Sequence, residues 1–123
     1  MKRVLLVDKH NLFRRVLALV LKWNTDLKET LEADSLAEVR RVLDNSNHTP
    51  HLALVDLDLA NGDGFELIQE LQMSAPDVPV LAITLARDTD QRERALQAGA
   101  AEVLTMAASP KQIVDVAKQL VVE

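Results

Sequence analysis

The sequence predicts an α/β fold, a doubly wound five-stranded parallel sheet with helices on both faces. Three observations support this prediction. Short apolar segments alternate with segments of helical period along the whole chain. The central apolar segment contains no polar residue before Asp56, which is typical of a strand buried on both faces. The 123 residues are enough for one hydrophobic core and too few for two, so we expect a single domain over residues 1–123.

Five short segments are predicted to be strands. The second alternates apolar with polar residues, which favours a position at the edge of the sheet. The third enters a turn at Asp63-Gly64, where residues that tolerate positive φ are concentrated. The predicted strands are Val4–Val7, Leu27–Ala33, Leu52–Leu57, Val80–Ile83 and Glu102–Thr105.

Apolar residues three and four positions apart predict five helices. The apolar face of the first helix is widened by Leu12, Leu19 and Leu21, so we expect this helix to be buried on more than one side. Trp23 is expected to close its end. The third is marked by an apolar set that includes Met73, and Gly99 is expected to end the fourth at positive φ. The predicted helices are about Asn11–Trp23, Leu36–Asp44, Phe65–Ser74, Thr89–Ala98 and Pro110–Leu120. The predicted capping boxes are Ser35 with Glu38, Asp88 with Gln91 and Ser109 with Gln112.

Composition limits the function. Only three residues are aromatic, so the core must be aliphatic, and the absence of cysteine excludes disulfides and thiolate metal sites and fits a reducing compartment. A formal charge of −5 argues against direct nucleic-acid contact by this domain. Because no eighteen apolar residues run together, we expect no membrane contact and a cytoplasmic location.

Five residues lie at the ends of four of the predicted strands, and four of the five are polar. The carboxyl ends of parallel strands meet at one edge of the sheet, where open α/β folds place ligands and chemistry. Carboxylates near a hydroxyl suit Mg²⁺ and a phosphoryl group, whereas any one such residue alone indicates no more than entry into a polar loop. The residues brought to this edge are Asp8, Lys9, Asp56, Thr84 and Met106.

Four segments together resemble the receiver domain of two-component response regulators over essentially the whole chain. They are residues 4–14, which are similar to receivers that precede LuxR-type DNA-binding domains, residues 56–64, Thr84, and residues 98–100. The resemblance implies a flavodoxin-like receiver fold, with Asp56 as the phosphoacceptor and Thr84 as the switch hydroxyl. It also implies Asp8, Asp56 and Asp58 as the site of a Mg²⁺ ion.

Three residues depart from the family pattern. Lys9 replaces an acid that contacts the metal, Met106 replaces the lysine that pairs with the phosphoryl group, and Val103 replaces an aromatic switch residue. Ala60 and Leu85 are milder departures in the adjoining turns. The resemblance therefore implies an atypical receiver.

The charge at Lys9 differs by two units from that of an acid. Each unit charge a few ångströms away changes an interaction by about 1 to 4 kcal/mol, so Mg²⁺ binding should be severely weakened. Lys9 either places its ammonium near Asp8 and Asp56 as a fixed countercharge or points to solvent. His10, His48 and His51 lack metal-ligand spacing and are expected in loops.

Three functions remain in competition. The first is an atypical signalling receiver that acts through protein contact, with a histidine kinase or another signalling protein, or a second copy, as partner. The second is an ordinary switch that a histidine kinase phosphorylates on Asp56. The third, a small α/β enzyme using Asp8 and Asp56, lacks a nucleophile–base pair and a phosphate-binding glycine loop.

Overall fold

The computed structural model describes residues 2–45, 49–59, 63–85, 89–105 and 107–121. The strands are β1 (Lys2–Val7), β2 (Leu27–Ala33), β3 (Leu52–Asp56), β4 (Val80–Thr84) and β5 (Glu102–Thr105). The helices are α1 (Asn11–Asn24), α2 (Leu36–Asn45), α3 (Asp63–Ser74), α4 (Thr89–Ala98) and α5 (Pro110–Leu120). The predicted alternation of five strands and five helices is confirmed, and the bounds of β2, β5 and α4 agree residue for residue.

The five strands form one parallel sheet in the order β2-β1-β3-β4-β5, with β2 at an edge as predicted. Val7 lies opposite Val55, so the residues that follow, Asp8 and Asp56, leave neighbouring strands side by side. Asp56 in turn lies opposite Ile83, which precedes Thr84. The register therefore brings three predicted site residues to one edge.

Helices cover both faces of the sheet, which explains why the strands are apolar throughout. In β1, Leu5 and Val7 belong to the core beneath α2, α3 and α4, whereas Val4 and Leu6 belong to the core beneath α1 and α5. Successive strand residues point to opposite faces, so a strand between two helical layers needs apolar residues at every position.

The prediction that α1 is buried on more than one side is wrong. Only Leu17 and Leu21 of this helix are buried, whereas Leu12 and Trp23 are 78% and 74% exposed. Leu19 is 47% exposed, and Trp23 does not close the helix against the core. The helix packs on the sheet and α5 along one side, so no described element covers the other. Met73 of α3 is likewise exposed, so it does not belong to the core face of α3.

Two of the predicted helix ends are confirmed, one is formed in part, and one lies outside the described residues. Ser109 and Gln112 form the complete capping box of α5, and Gly99 has a φ of 124° after α4. Ser35 accepts from the Glu38 N–H, but the Glu38 carboxylate accepts from the N–H of Asp34 and not from that of Ser35. The box predicted at Asp88 lies outside the described residues. Within the described part of the chain, no helix has the length and apolarity that a membrane crossing requires.

Candidate functional site

The polar edge predicted from the sequence is a buried one. Asp8, Asp56 and Thr84 are 3%, 1% and 3% exposed, and they are the only buried polar side chains among the described residues. Burying a carboxylate is unfavourable unless it is hydrogen-bonded or paired with a cation, so two such groups at the ends of adjacent strands are costly to stability. This concentration distinguishes the carboxyl edge from the rest of the domain.

Asp8 is held by the start of α1. Its Oδ1 accepts a hydrogen bond of 2.7 Å from the His10 N–H and lies 2.9 Å from the His10 Nδ1. The Asp8 N–H donates to the carbonyl of Ala33 in the neighbouring strand. Arg14, which donates to the Asp8 carbonyl and to Glu32, fixes the same turn from one helical turn further on.

Asp56 has one satisfied and one unsatisfied oxygen. Its Oδ1 accepts a 2.8 Å hydrogen bond from the Asp58 N–H, while its buried Oδ2 has no hydrogen-bond partner among the described residues. Burial raises the pKa of Asp56 to about 6, the Asp58 N–H opposes this rise, and the Asp8 carboxylate adds to it. The free oxygen is the position at which a cation, a proton or a phosphoryl group would find an acceptor.

Gly64 allows α3 to begin close behind Asp56. A Cβ at Gly64 would lie 2.8 Å from the Leu57 Cα and 2.9 Å from the Asp56 carbonyl oxygen, both of which are backbone atoms. Any larger residue would therefore push α3 away from the end of β3. The turn residues 60–62, including the predicted departure at Ala60, lie outside the described residues.

Lys9 makes a contact that the sequence analysis did not predict. Its Nζ lies 3.3 Å from Asp58 Oδ2, and the two side chains are 45% and 52% exposed. Its nearest charge partner is thus Asp58, and not the buried pair of Asp8 and Asp56. Asp58, predicted as a metal residue, has its carboxylate in this ion pair.

The predicted switch residues lie across the β4–β5 half of the edge. The Thr84 hydroxyl donates a 3.0 Å hydrogen bond to Gln91 Oε1 of α4. Val103 is 5% exposed, and its carbonyl accepts from Arg92 of α4. Leu85 is exposed. Met106 lies outside the described residues, so its predicted place beside the phosphoryl group remains an expectation.

Receiver domains typically bind Mg²⁺ in an acidic pocket, and the donor set here can be compared with what Mg²⁺ prefers. Among the described residues, one ligand atom each of Asp8, His10 and Asp56 lie within 4.8 Å of one another. The unsatisfied Asp56 oxygen suits a cation, but the third member is an imidazole and the adjacent Lys9 is positive. Mg²⁺ prefers oxygen ligands in octahedral geometry, so this set fits Mg²⁺ poorly.

Three residues at the edge were missed by sequence reasoning. His10 lies in a loop as predicted, but its ring contacts Asp8 and has a nitrogen within 4.8 Å of an Asp56 carboxylate oxygen. Its position two residues after Asp8 was the available signal. Gln91 was predicted only as the partner of Asp88 in a capping box, which lies outside the described residues, and its side chain accepts from the Thr84 hydroxyl. The contacts of Arg14 could not be predicted from the sequence, because its partners are the Glu32 side chain on β2 and the backbone carbonyl of Asp8.

The structure is a doubly wound domain with two buried carboxylates and a buried hydroxyl at the carboxyl edge of its sheet. Comparison with known proteins assigns it to a family. Residues 4–118 match the family model described as the response regulator receiver domain. The chain belongs to this family and is a receiver domain of the two-component response regulators.

Similar proteins agree with this assignment. The chain is 33% identical over 114 residues to the response regulator GacA of Pseudomonas protegens, covering 93% of this chain and 53% of that protein. It is 35% identical over 106 residues to the KDP operon transcriptional regulatory protein KdpE of Escherichia coli, covering 85% and 44%. The chain thus spans about half the length of the curated relatives it matches.

Solved structures show the same fold. A CheY-like receiver domain protein from Methanospirillum hungatei superposes with a TM-score of 0.83 at 22% identity, covering 98% of this chain and 94% of that one. A LuxR-family DNA-binding response regulator from Staphylococcus aureus gives a TM-score of 0.87 at 15% identity, covering 99% and 100%. The predicted doubly wound receiver fold is therefore confirmed.

Proposed function

We propose that this chain is an atypical receiver module, in which Mg²⁺-dependent phosphorylation is weak or absent and signalling proceeds through protein contact. The observation that carries the proposal is the ion pair between Lys9 and Asp58. By the resemblance to the family, Lys9 is a cation at the position of an acidic metal ligand, and the ion pair holds its ammonium near the edge. Compared with the phosphorylation site of the family, the site in this chain has one carboxylate fewer and one positive charge more.

The chemistry at Asp56 supports the same proposal. Phosphorylation adds negative charge beside the buried Asp8 carboxylate, and that charge needs cations to offset it. The Lys9 ammonium is engaged by Asp58, and Met106 replaces the lysine of the family with a thioether, a weak acceptor that cannot donate. Neither of the usual countercharges is supplied by these positions.

The relay from the site to α4 is also altered. In this family the switch hydroxyl and an aromatic side chain change position together. Thr84 is tied to Gln91, and the second position holds Val103, which is small and buried. A small buried valine cannot alternate between a buried and an exposed rotamer as a large aromatic side chain does. We therefore propose that a change at Asp56 has little effect on the surface formed by β5.

The outer face of α1 supports a function through protein contact. We define the α1 outer face as Leu12, Val16, Leu19 and Trp23, which recur at intervals of four, three and four residues and are 47% to 78% exposed. Exposed apolar stripes of this kind mark interaction sites. Residues at this spacing are the ones with which a helix binds in an apolar groove or packs against a second helix. Val20 and Val114 line a groove of about 340 Å³ next to it, between α1 and α5.

The partner is proposed to be a histidine kinase or another signalling protein, with a homodimer as the alternative. Direct nucleic-acid contact by this domain is not proposed, given the charge of −5. Two relatives that are about twice as long are described as transcriptional regulatory proteins. We therefore propose that the chain supplies the receiver part of such a regulator, with residues 1–123 as one domain. We propose a cytoplasmic location.

An enzymatic function is not proposed. A cavity of about 500 Å³ opens among Lys2, Leu27 and Ala117, at the opposite end of the sheet from Asp56. The lining of this cavity does not include the buried carboxylates. The ordinary phosphorylation switch is the second candidate, because Asp56 Oδ2 is buried and unsatisfied and so remains a candidate nucleophile.

Phosphorylation with acetyl phosphate and Mg²⁺, followed by intact mass spectrometry, tests the proposal. The unaltered chain should remain mostly unmodified, whereas Lys9→Asp with Met106→Lys should accept phosphate at Asp56. Lys9→Asp alone should bind Mg²⁺ but stabilise the phosphoryl group poorly, and Met106→Lys alone should change little. We expect the effects of the two changes to be non-additive, because they serve one site.

Two controls make the result specific. Lys118→Glu changes the charge by the same two units on an exposed residue of α5 and should leave the chain unmodified. Asp56→Asn in the double variant should abolish labelling. Rapid, stoichiometric labelling of the unaltered chain would establish the ordinary switch instead. A double variant that folds and remains unlabelled would move the cause from the missing charges to the turns around Ala60 and Leu85.

A further inference from the structure

We propose that Asp8, His10 and Asp56 form a binding site for a divalent transition-metal ion that accepts mixed nitrogen and oxygen ligands, such as Zn²⁺ or Co²⁺, in preference to Mg²⁺. We call these three residues the edge triad. The proposal concerns ion binding alone and does not depend on whether Asp56 accepts phosphate.

The geometry of the edge triad brings three ligand groups together. One ring nitrogen of His10 and one carboxylate oxygen each from Asp8 and Asp56 lie within 4.8 Å of one another. Ligands about 2.0 to 2.2 Å from a common ion are at most about 4.4 Å apart, so modest side-chain adjustment is enough. The backbone is already arranged for this, because the His10 N–H and ring both lie against the Asp8 carboxylate.

A buried and unsatisfied oxygen is the second, independent observation. Asp56 is 1% exposed, and its Oδ2 has no hydrogen-bond partner among the described residues. A buried acceptor without a partner costs about 1 to 3 kcal/mol, and more when it is charged. An ion held by Asp8 and His10 would supply the missing partner of this oxygen.

The local charges also suit a divalent ion. Lys9 is paired with Asp58 at 3.3 Å, so these two residues offset each other at the rim. Asp8 and Asp56 are both buried, and among the described residues neither is in an ion pair with a lysine or arginine. A doubly charged ion would balance this pair.

The ligand types decide which ion is preferred. Mg²⁺ dehydrates reluctantly and is held by oxygen, whereas Zn²⁺ and Co²⁺ accept imidazole with carboxylate readily. The edge triad replaces one oxygen ligand with an imidazole, which moves selectivity away from Mg²⁺. Three protein ligands are also the number found in many zinc sites that keep a further position for water.

Direct titration of the chain with Zn²⁺, Co²⁺ and Mg²⁺ tests the site. Calorimetry should give one Zn²⁺ per chain, bound at least about tenfold more tightly than Mg²⁺, as ligand softness predicts. Visible absorption should report Co²⁺ with a nitrogen ligand and fewer than six ligands. Amide NMR shifts on adding Zn²⁺ should centre on residues 8–10 and 56–58. The chain has no cysteine, so thiolate binding cannot interfere.

Matched histidine variants locate the ion. His10→Asn keeps a good N-cap residue at the start of α1 and should weaken Zn²⁺ binding by at least about tenfold, since even outer-shell changes cost about 10- to 100-fold. Mg²⁺ binding should change little. His51→Asn is the control, because this ring accepts from the Arg3 N–H away from the edge triad. Asp56→Asn should weaken Zn²⁺ binding as well, and circular dichroism confirms that each variant is folded.

The proposal is overturned by any of three results. They are equal affinity for Mg²⁺ and Zn²⁺ in the unaltered chain, Zn²⁺ binding that survives His10→Asn, and Zn²⁺ binding that His51→Asn removes. None of these measurements uses a phosphate donor, so their outcome is separate from that of the phosphorylation test.

Discussion

The carboxyl edge of the sheet and the α1 outer face depart from ordinary burial in opposite directions. At the edge, two carboxylates are almost fully buried, and one of their oxygens has no hydrogen-bond partner in the described part of the chain. On α1, leucines and a tryptophan that would stabilise a core are exposed. Both arrangements support the proposals made above, an ion site at the edge triad and a protein-contact surface on α1.

The two regions differ in how they affect the stability of the folded domain. A buried, ionised carboxylate lowers stability at every moment the protein is folded. An exposed leucine forgoes a gain and leaves the folded domain otherwise undisturbed. Substitutions at the two regions should therefore differ in sign and in size.

The largest expected effect separates the two sides of α1. Leu21→Ala removes a fully buried side chain and should lower the free energy of unfolding by about 2 to 5 kcal/mol. Leu12→Ala is the same exchange on the same helix at a 78% exposed residue and should change it by less than about 0.5 kcal/mol. Urea unfolding measures both. A large loss in Leu12→Ala would mean that the α1 outer face is covered in solution, for example by a second copy. If a second copy covers it, the measured stability should rise with protein concentration.

The next effect has the opposite sign and depends on pH. Asp56 has its pKa raised to about 6, so the folded state retains this proton between about pH 4 and 6 while the unfolded state loses it. Stability from this residue is therefore highest at low pH and falls as the pH rises through this window. The loss reaches about 3 kcal/mol above pH 6, since each pH unit corresponds to about 1.4 kcal/mol.

Asp56→Asn should remove this loss. The variant is expected to be more stable than the unaltered chain by up to about 3 kcal/mol at pH 8, with the difference shrinking to near zero at pH 4. Asp77→Asn, the same exchange at an exposed turn residue, should change stability by less than about 0.5 kcal/mol. Urea unfolding in metal-free buffer at several pH values measures the difference. A destabilised Asp56→Asn at pH 8 would contradict the dominance of burial.

These two regions also show what the sequence can predict. The elements and the sheet edge followed from apolar period and from residues such as Gly99 and Ser109, because these act on their own neighbours in the chain. The strand order brought Asp8 and Asp56 together as expected, since carboxyl ends of parallel strands share an edge. Local chemistry and parallel geometry were sufficient for this much.

What failed required knowledge of contacts between distant segments. The apolar residues of α1 gave no indication of which side a neighbour would cover. Leu12 was therefore wrongly expected to be buried, and Trp23 was wrongly expected to close the end of the helix. The pairing of Lys9 with Asp58 joins residues 49 positions apart, and that of Thr84 with Gln91 crosses from a strand to a helix. Side-chain partners of this kind depend on rotamers and loop paths that periodicity does not specify.

The smallest expected effect is at the rim of the carboxyl edge. Lys9→Met removes the ammonium while keeping most of the side-chain length, and it should change the free energy of unfolding by less than about 1 kcal/mol. Both members of the pair with Asp58 are about half exposed, so solvent and salt screen their attraction. Arg40→Met is the matched control, because Arg40 forms a two-point contact with Glu70 on an equally exposed surface.

Urea unfolding at low and high salt measures both variants, and the two should respond alike. A loss well above 1 kcal/mol in Lys9→Met alone would show that this ammonium compensates the buried carboxylates Asp8 and Asp56, and does more than pair with Asp58. In that case the carboxyl edge would carry its own fixed countercharge, and the need for an external cation at the edge triad would fall. A small, salt-sensitive loss would instead show that Lys9 does not offset the negative charge of Asp8 and Asp56. The contrast between the carboxyl edge and the α1 outer face depends on this result.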